Sequence, residues 1–244
     1  MPRNDRRTRS VLLHWCALGG MLAPITFVVG WVAGGVAQPD AYSLVEDQVS
    51  DLGALTADQA WIYNQIGANL TGLLVAALAC GLWSAGSSRT AGKVGVIALA
   101  LTGVGVFFDG WLRLDCRAID ASCSAGGASW HATAHQIESL ITVSGMFVAV
   151  FALARAFKKS EHWQDLRTPT LIAGFASVGG ILGGTILTGL EFAGGGLAVR
   201  VGLTVWFAWL ALVSYRLLRI TPEDEHGEAH SVGSLEWSDR DTGR

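Results

Sequence analysis

The chain has 244 residues, 51% of them hydrophobic and 15% charged, with a formal net charge of −3. Its mean hydropathy is +0.41. A water-soluble domain of this length needs a far more charged surface, and so small a net charge gives no sign of a nucleic-acid partner.

The apolar residues fall in long unbroken blocks, which favours burial in a bilayer. A span in lipid must satisfy its own backbone hydrogen bonds, so each block should be a helix. Residues 1–10 form a basic start with Arg3, Arg6, Arg7 and Arg9. Six blocks follow, at 11–37, 61–84, 93–112, 131–157, 170–193 and 196–218. The first is too long for the core of a cleaved signal peptide and is read as a retained helix. The fold class is therefore an all-α integral membrane protein, a bundle of six transmembrane helices over residues 11–219. The fifth block is rich in Gly, Ala, Ser and Thr, with Gly179 and Gly183, and Gly180 and Gly184, spaced i, i+4. Such residues let helices approach closely in lipid, and this span is expected at the centre of the bundle. Residues 220–244 are polar and mostly acidic and are expected to form a disordered tail.

Lys and Arg in the short loops set the orientation. Arg89 and Lys93, then Arg155, Lys158, Lys159 and Arg167, and finally Arg216 and Arg219 share a side with the basic start. The first loop, 38–60, has no Lys or Arg and carries Asp40, Glu46, Asp47, Asp51 and Asp58. The pattern predicts both termini in the cytoplasm and the loops at 38–60 and 113–130 outside. Trp15, Trp31, Trp61, Trp83, Trp111 and Trp130 near the block ends fit an interfacial belt.

Ionisable groups in lipid are costly and usually face a cavity or a partner. Here polar and ionisable residues gather toward the outer side. Gln65 and Asn69 lie in the second block, Asp109 closes the third, and His131, His135 and Glu138 open the fourth. At about 100° per residue, His131, His135, Glu138 and Thr142 form one stripe; Gln65, Asn69 and Gly72 form another. With Ser50 and Asp51 just above, these stripes suggest a shared outward-opening pocket. Glu191 and Arg200 flank the tight turn between the last two blocks; an ion pair is expected, and an arginine holding a lipid phosphate is the alternative.

Two functions compete for such a pocket. It can bind a lipid or small ligand in an accessory, lipid-binding or sensory protein. Alternatively, His131, His135 and Glu138, with Asp109, can hold zinc or another divalent metal in a hydrolase or transferase at the outer leaflet. Histidines at a span end also commonly do no more than hydrogen-bond neighbours. A small transporter is the third reading, against which stand the lack of a clear inverted repeat and of a span broken at the midplane. Cys116 and Cys123 face an oxidising compartment and are expected to pair; Cys116, Cys123, His131 and His135 as four zinc ligands is the second choice. A protein partner or homo-oligomer remains open.

Pro39, Tyr42 and Ser43, then Ser50, Asp51, Leu52, Gly53 and Ala54, then Asn64 or Asn69 early in the second block, resemble the DUF998 family of prokaryotic membrane proteins. The resemblance implies a six-span protein of the prokaryotic plasma membrane with no assigned activity. It also implies an acid after the third span and a histidine opening the fourth, for which Asp115 and His131 or His135 are the matching positions. The Phe-Pro expected before that acid is replaced by Arg113 and Leu114.

Overall fold

The computed structural model describes residues 3–39, 41–86, 90–121, 123 and 129–220, with side chains from residue 10 onward. The expected tail from Thr221 onward, Asp40 and Arg89 lie outside the described residues. Among those described there is helix and no strand. Six helices are long and apolar enough to cross a membrane. They are α1 (Arg3–Val36), a second span made of a π-helical segment Ile62–Leu70 running into α2 (Thr71–Ala85), α3 (Thr90–Asp109), α4 (Trp130–Phe157), α5 (Arg167–Gly189) and α6 (Gly195–Ile220). Each falls on one of the six apolar blocks. A 20-residue helix such as α3 rises about 30 Å, the thickness of a hydrocarbon core. The outward side chains are those of a lipid-facing surface, with Leu140 70% and Leu190 62% exposed. Trp15, Trp61, Trp83, Trp111 and Trp130 are exposed near the helix ends.

Each helix packs on its neighbour in sequence, and α6 closes on α1, so the six form a ring. The seams are tight where glycines meet. A methyl group on Gly180 would come within 2.7 Å of Gly202 Cα, and one on Gly72 within 2.6 Å of the Gly103 carbonyl. Large apolar side chains fill the middle, among them Leu78, Leu99, Met146, Leu153, Trp206 and Leu210. The fifth span is not central, contrary to expectation. Among the described residues it packs mainly on α4 and α6, and 28% of its most apolar stretch is buried against 56% for the second span. Gly180 and Gly184 fit against α6, while Gly179 and Gly183 face open space. Small residues here serve one seam, and a face with no large side chains has little to offer a core.

Both ends of the helical chain lie at one face of the ring, called here the terminal face; the opposite loop face carries the described residues of the loops that follow α1 and α3. The first loop is a folded plug. Leu52 and Ala54 are fully buried, and Val49 and Tyr42 nearly so. Its centre is a short 3₁₀ turn, Val49–Gly53. The second loop clamps it: Leu55 N donates to the Leu114 carbonyl (2.8 Å), and Arg113 donates to the carbonyls of Gly53 (2.8 Å) and Ala54 (2.7 Å). Cys116 and Cys123 are joined in a disulfide. That pairing removes both thiolates from any zinc set with His131 and His135.

Candidate functional site

A cavity of about 210 Å³ lies inside the ring, toward the loop face. Every span contributes to its wall, and Gln48, Val49 and Ser50 of the plug form its roof. Its deeper wall is apolar, with Phe27, Met146, Leu203 and Phe207. The polar groups are carboxyls and hydroxyls: Asp109 and Glu138, with Tyr63, Ser139, Thr142 and Thr185.

Asp109 is the last residue of α3, so its side chain leaves a helix end and turns toward α4. Tyr63 donates its hydroxyl proton to Asp109 Oδ2 (3.1 Å). His135 Nδ1 lies 3.3 Å from Asp109 Oδ1 and 2.8 Å from the Leu112 carbonyl. The carbonyl can only accept, so the ring proton sits on Nδ1 and the Nε2 lone pair stays free for a donor or metal, with the Ser139 hydroxyl 3.5 Å away. Glu138, almost one turn further along α4, accepts a hydrogen bond from Thr142 through Oε1; its Oε2 is buried without a hydrogen-bond partner. Ligand atoms from Asp109, His135 and Glu138 lie within 4.8 Å of one another. Two carboxylates and an imidazole at this separation are a donor set for a divalent ion, with Tyr63, Thr142 and Leu112 orienting each member.

The other expected site residues divide sharply. Ser50 lines the cavity roof. Asp51 is buried behind it and accepts from Ala118 N through Oδ1 (3.3 Å), while Oδ2 has no partner. Burial pushes its carboxyl up to about 6, since the charged form loses solvation. Asn69 donates to the Phe107 carbonyl (2.5 Å) and joins the second span to α3 instead of reaching the cavity.

Gln65 points out of the bundle. The α-helical spacing put it on one stripe with Asn69 and Gly72, but Ile62–Leu70 is π-helical. Its i→i+5 bonds widen the turn and rotate Gln65 away, bringing Tyr63 and Gly67 to the cavity in its place. The Thr71 hydroxyl donates to the Ile66 carbonyl (3.1 Å), five residues back, where the segment returns to α-helix.

His131 is outside the donor set, and Asp109 takes the place assigned to it. It lies in the first turn of α4, where its exposed ring stacks on Trp130 at 3.6 Å. Below it, Ser129 caps α4 by accepting from Ala132 N (3.2 Å). Asp115, the acid that the family resemblance suggested, accepts from Ser129 N (2.8 Å). The Ser129 hydrogen bonds, foremost among the causes, hold Asp115 below the usual carboxylate range. It supports the entry to α4 and is not part of the cavity.

Glu191 and Arg200 do not pair. Glu191 is exposed at the turn, in a left-handed conformation with φ +59°. Arg200 is 1% exposed and turns to the plug instead, donating to the Asp47 carbonyl (2.6 Å) and to the Tyr42 hydroxyl. Its guanidinium also lies 5.9 Å from the ring centres of Trp31 and Tyr42. Burial, partly offset by Arg200, pushes the Tyr42 hydroxyl up. Sequence reasoning missed Tyr63, Gln48, Ser139 and Thr185. Tyr63 and Gly67 carry an i, i+4 signal, but one that a Tyr–Gly pair shares with ordinary packing.

The chain belongs to the family described as protein of unknown function (DUF998), whose model matches residues 21–216. No curated protein and no solved structure matched the chain.

Proposed function

We propose that this member of a family without an assigned activity binds a small ligand or lipid in its loop-side cavity, as an accessory, lipid-binding or sensory membrane protein. The carrying observation is the cavity itself: polar groups from four spans converge on one space, under a plug that the second loop holds in place. Ionisable groups in a membrane mark a functional site by default. The loop face is taken as the external one, because Lys93, Arg155, Lys158, Lys159, Arg167, Arg216 and Arg219 all lie toward the terminal face. A prokaryotic plasma membrane is the expected location.

The test is mass spectrometry of the protein released intact from detergent. Wild type should carry a co-purified molecule that the cavity-filling variant Val143→Trp, folded by thermal unfolding, has lost. A bare wild type, or equal retention by the variant, counts against the reading.

A second reading follows from Asp109, His135 and Glu138 within 4.8 Å. A divalent ion held there would activate a water for a hydrolase or transferase reaction facing the cavity. Elemental analysis of untagged protein decides it. Metal should remain in His131→Ala and disappear in His135→Ala and Glu138→Gln. A metal-free wild type after gentle purification removes this reading and leaves the first standing.

A further inference from the structure

The chemistry and shape of the cavity narrow the ligand, on the premise that the cavity is a ligand site. Its lining includes two carboxyl groups and no Lys, Arg or His. Arg200, on the helix beside it, is outside that lining and turns its two terminal nitrogens to Tyr42 and Asp47. Among the described residues Glu138 Oε2 is buried without a hydrogen-bond partner in range. A phosphate or carboxylate head would set like charges against each other in a low-dielectric space, whereas an ammonium group would supply both the charge and the missing donors.

The size is equally specific. About 210 Å³ is less than the roughly 300–1,000 Å³ that enclose a drug-sized molecule, so a long ligand must leave part of itself outside. Around the cavity, most seams of the ring are closed. Gly30 meets Gly67 between α1 and the second span, and Gly110 meets Asn64 and Asn69. Gly105 meets Thr142 between α3 and α4, and Gly184 meets Gly195 and Val199 between α5 and α6. Phe27 stacks on Phe207 between α1 and α6, with ring centres 4.3 Å apart.

The seam between α4 and α5 differs. Gly174, Ile181 and Thr185 share one face of α5, being seven and four residues apart. Near the terminal face this stripe touches α4: a methyl on Gly174 would lie 3.1 Å from Phe151, and Phe151 and Phe175 are 5.2 Å apart. Toward the loop face, Ile181 and Thr185 line the cavity, and Thr185 is exposed. A residue that both lines the cavity and is exposed marks an opening in the ring at this seam. Leu140 of α4 and Leu182 and Ile186 of α5 are apolar and exposed.

We propose that the cavity holds the amine head of a long-chain amphiphile, with its hydrocarbon chain leaving sideways between α4 and α5 into the adjoining leaflet. The ammonium group sits against Glu138 and Asp109, and the hydroxyls of Ser139 and Thr142 border it. The gap admits the ligand from the membrane and not from water, so the plug need not open.

Dodecylamine, dodecyl phosphate and ethylamine are the probes, each measured by its displacement of the co-purified molecule and by its shift of the unfolding temperature. Wild type should hold dodecylamine at least about tenfold more tightly than dodecyl phosphate. Glu138→Gln should remove that preference. Thr185→Trp, checked for folding by its thermal unfolding, should block dodecylamine while ethylamine still shifts unfolding. Equal or better binding of dodecyl phosphate overturns the amine head. Undiminished dodecylamine binding by Thr185→Trp overturns the lateral exit. If a co-purified molecule is present but dodecylamine does not displace it, this inference fails while the cavity remains a ligand site. If nothing co-purifies and no probe binds, both fail.

Discussion

Arg200 on α6 donates to the hydroxyl of Tyr42 in the first loop, and among the described residues its guanidinium has no carboxylate partner. The bond joins the last span to the loop after the first span and seats the plug over the cavity. An unpaired buried guanidinium is costly, so its neutral acceptors and the rings of Trp31 and Tyr42 carry the compensation. Tyr42→Phe should destabilise the protein by about 1–3 kcal/mol, since it leaves a buried charged donor short of a partner. Glu191→Gln should change nothing, because Glu191 is exposed and apart from Arg200. Thermal unfolding in detergent compares the two. A loss in Glu191→Gln equal to that in Tyr42→Phe would restore the ion pair.

Asp51 predicts a pH dependence. Its carboxyl is raised from 3.8 to about 6, first by burial. The folded state therefore holds a proton that the unfolded state releases. That stability is fully present below about pH 4 and is lost as pH rises through about 6, on the order of 1–3 kcal/mol in all. Asp51→Asn should flatten unfolding temperature across pH 4–7 and raise it at pH 7. An unchanged slope in the variant would exclude Asp51 as its source.

Asp120 works in the opposite sense and in a different window. Arg117, foremost, and Thr56 hold it down to about 2 through hydrogen bonds. Its contribution is present above about pH 4 and fades as pH falls through about 2. The Arg117–Asp120 pair (2.8 Å) ties the second loop together, and Thr56 links it to the first. Asp120→Asn should loosen both loops at pH 7, seen as faster proteolysis with little change in the helical signal. Wild-type cleavage rates in the variant would show that the loops hold without it.

The disulfide predicts protection from alkylation. Cys116 and Cys123 should resist a membrane-impermeant maleimide on intact cells until a reductant is added, and then label. Their seven-residue separation closes a short loop, and opening it should cost about 2–3 kcal/mol by loop entropy. Labelling without reductant would mean free thiols; no labelling even after reduction would place the loop face inside.

Orientation has its own test. A phosphatase reporter fused near Thr56 should be active, which requires export, and one fused after Gly86 should be silent. The reverse pattern would invert the assignment of both faces.

The positions of the six spans were legible in the sequence because they are local. A block of about 20 apolar residues can satisfy its backbone in lipid only as a helix, whatever surrounds it. The Cys116–Cys123 pair was equally local, a matter of two thiols seven residues apart. The three members of the candidate donor set were all named from the sequence: His135 and Glu138 share a stripe of one straight α-helix, so counting residues found them, and Asp109 stood beside them as a further ligand. His131 lies on the same stripe and was wrongly included, since periodicity gives a direction around a helix and says nothing of whether a neighbour reaches that height. Asp109 meets them only because α3 ends there.

The remainder was decided between elements. A π-helical segment turned Gln65 outward and Tyr63 inward, a change that a fixed period of 3.6 cannot carry. Arg200 chose Tyr42 and Asp47 over Glu191, although Glu191 is nine residues away in sequence and Tyr42 is 158. By itself the sequence determined which segments enter a membrane, because that depends on each segment's composition. Only the tertiary structure decided which polar groups share a cavity, because that depends on where helices end, how they rotate and which loop reaches them first.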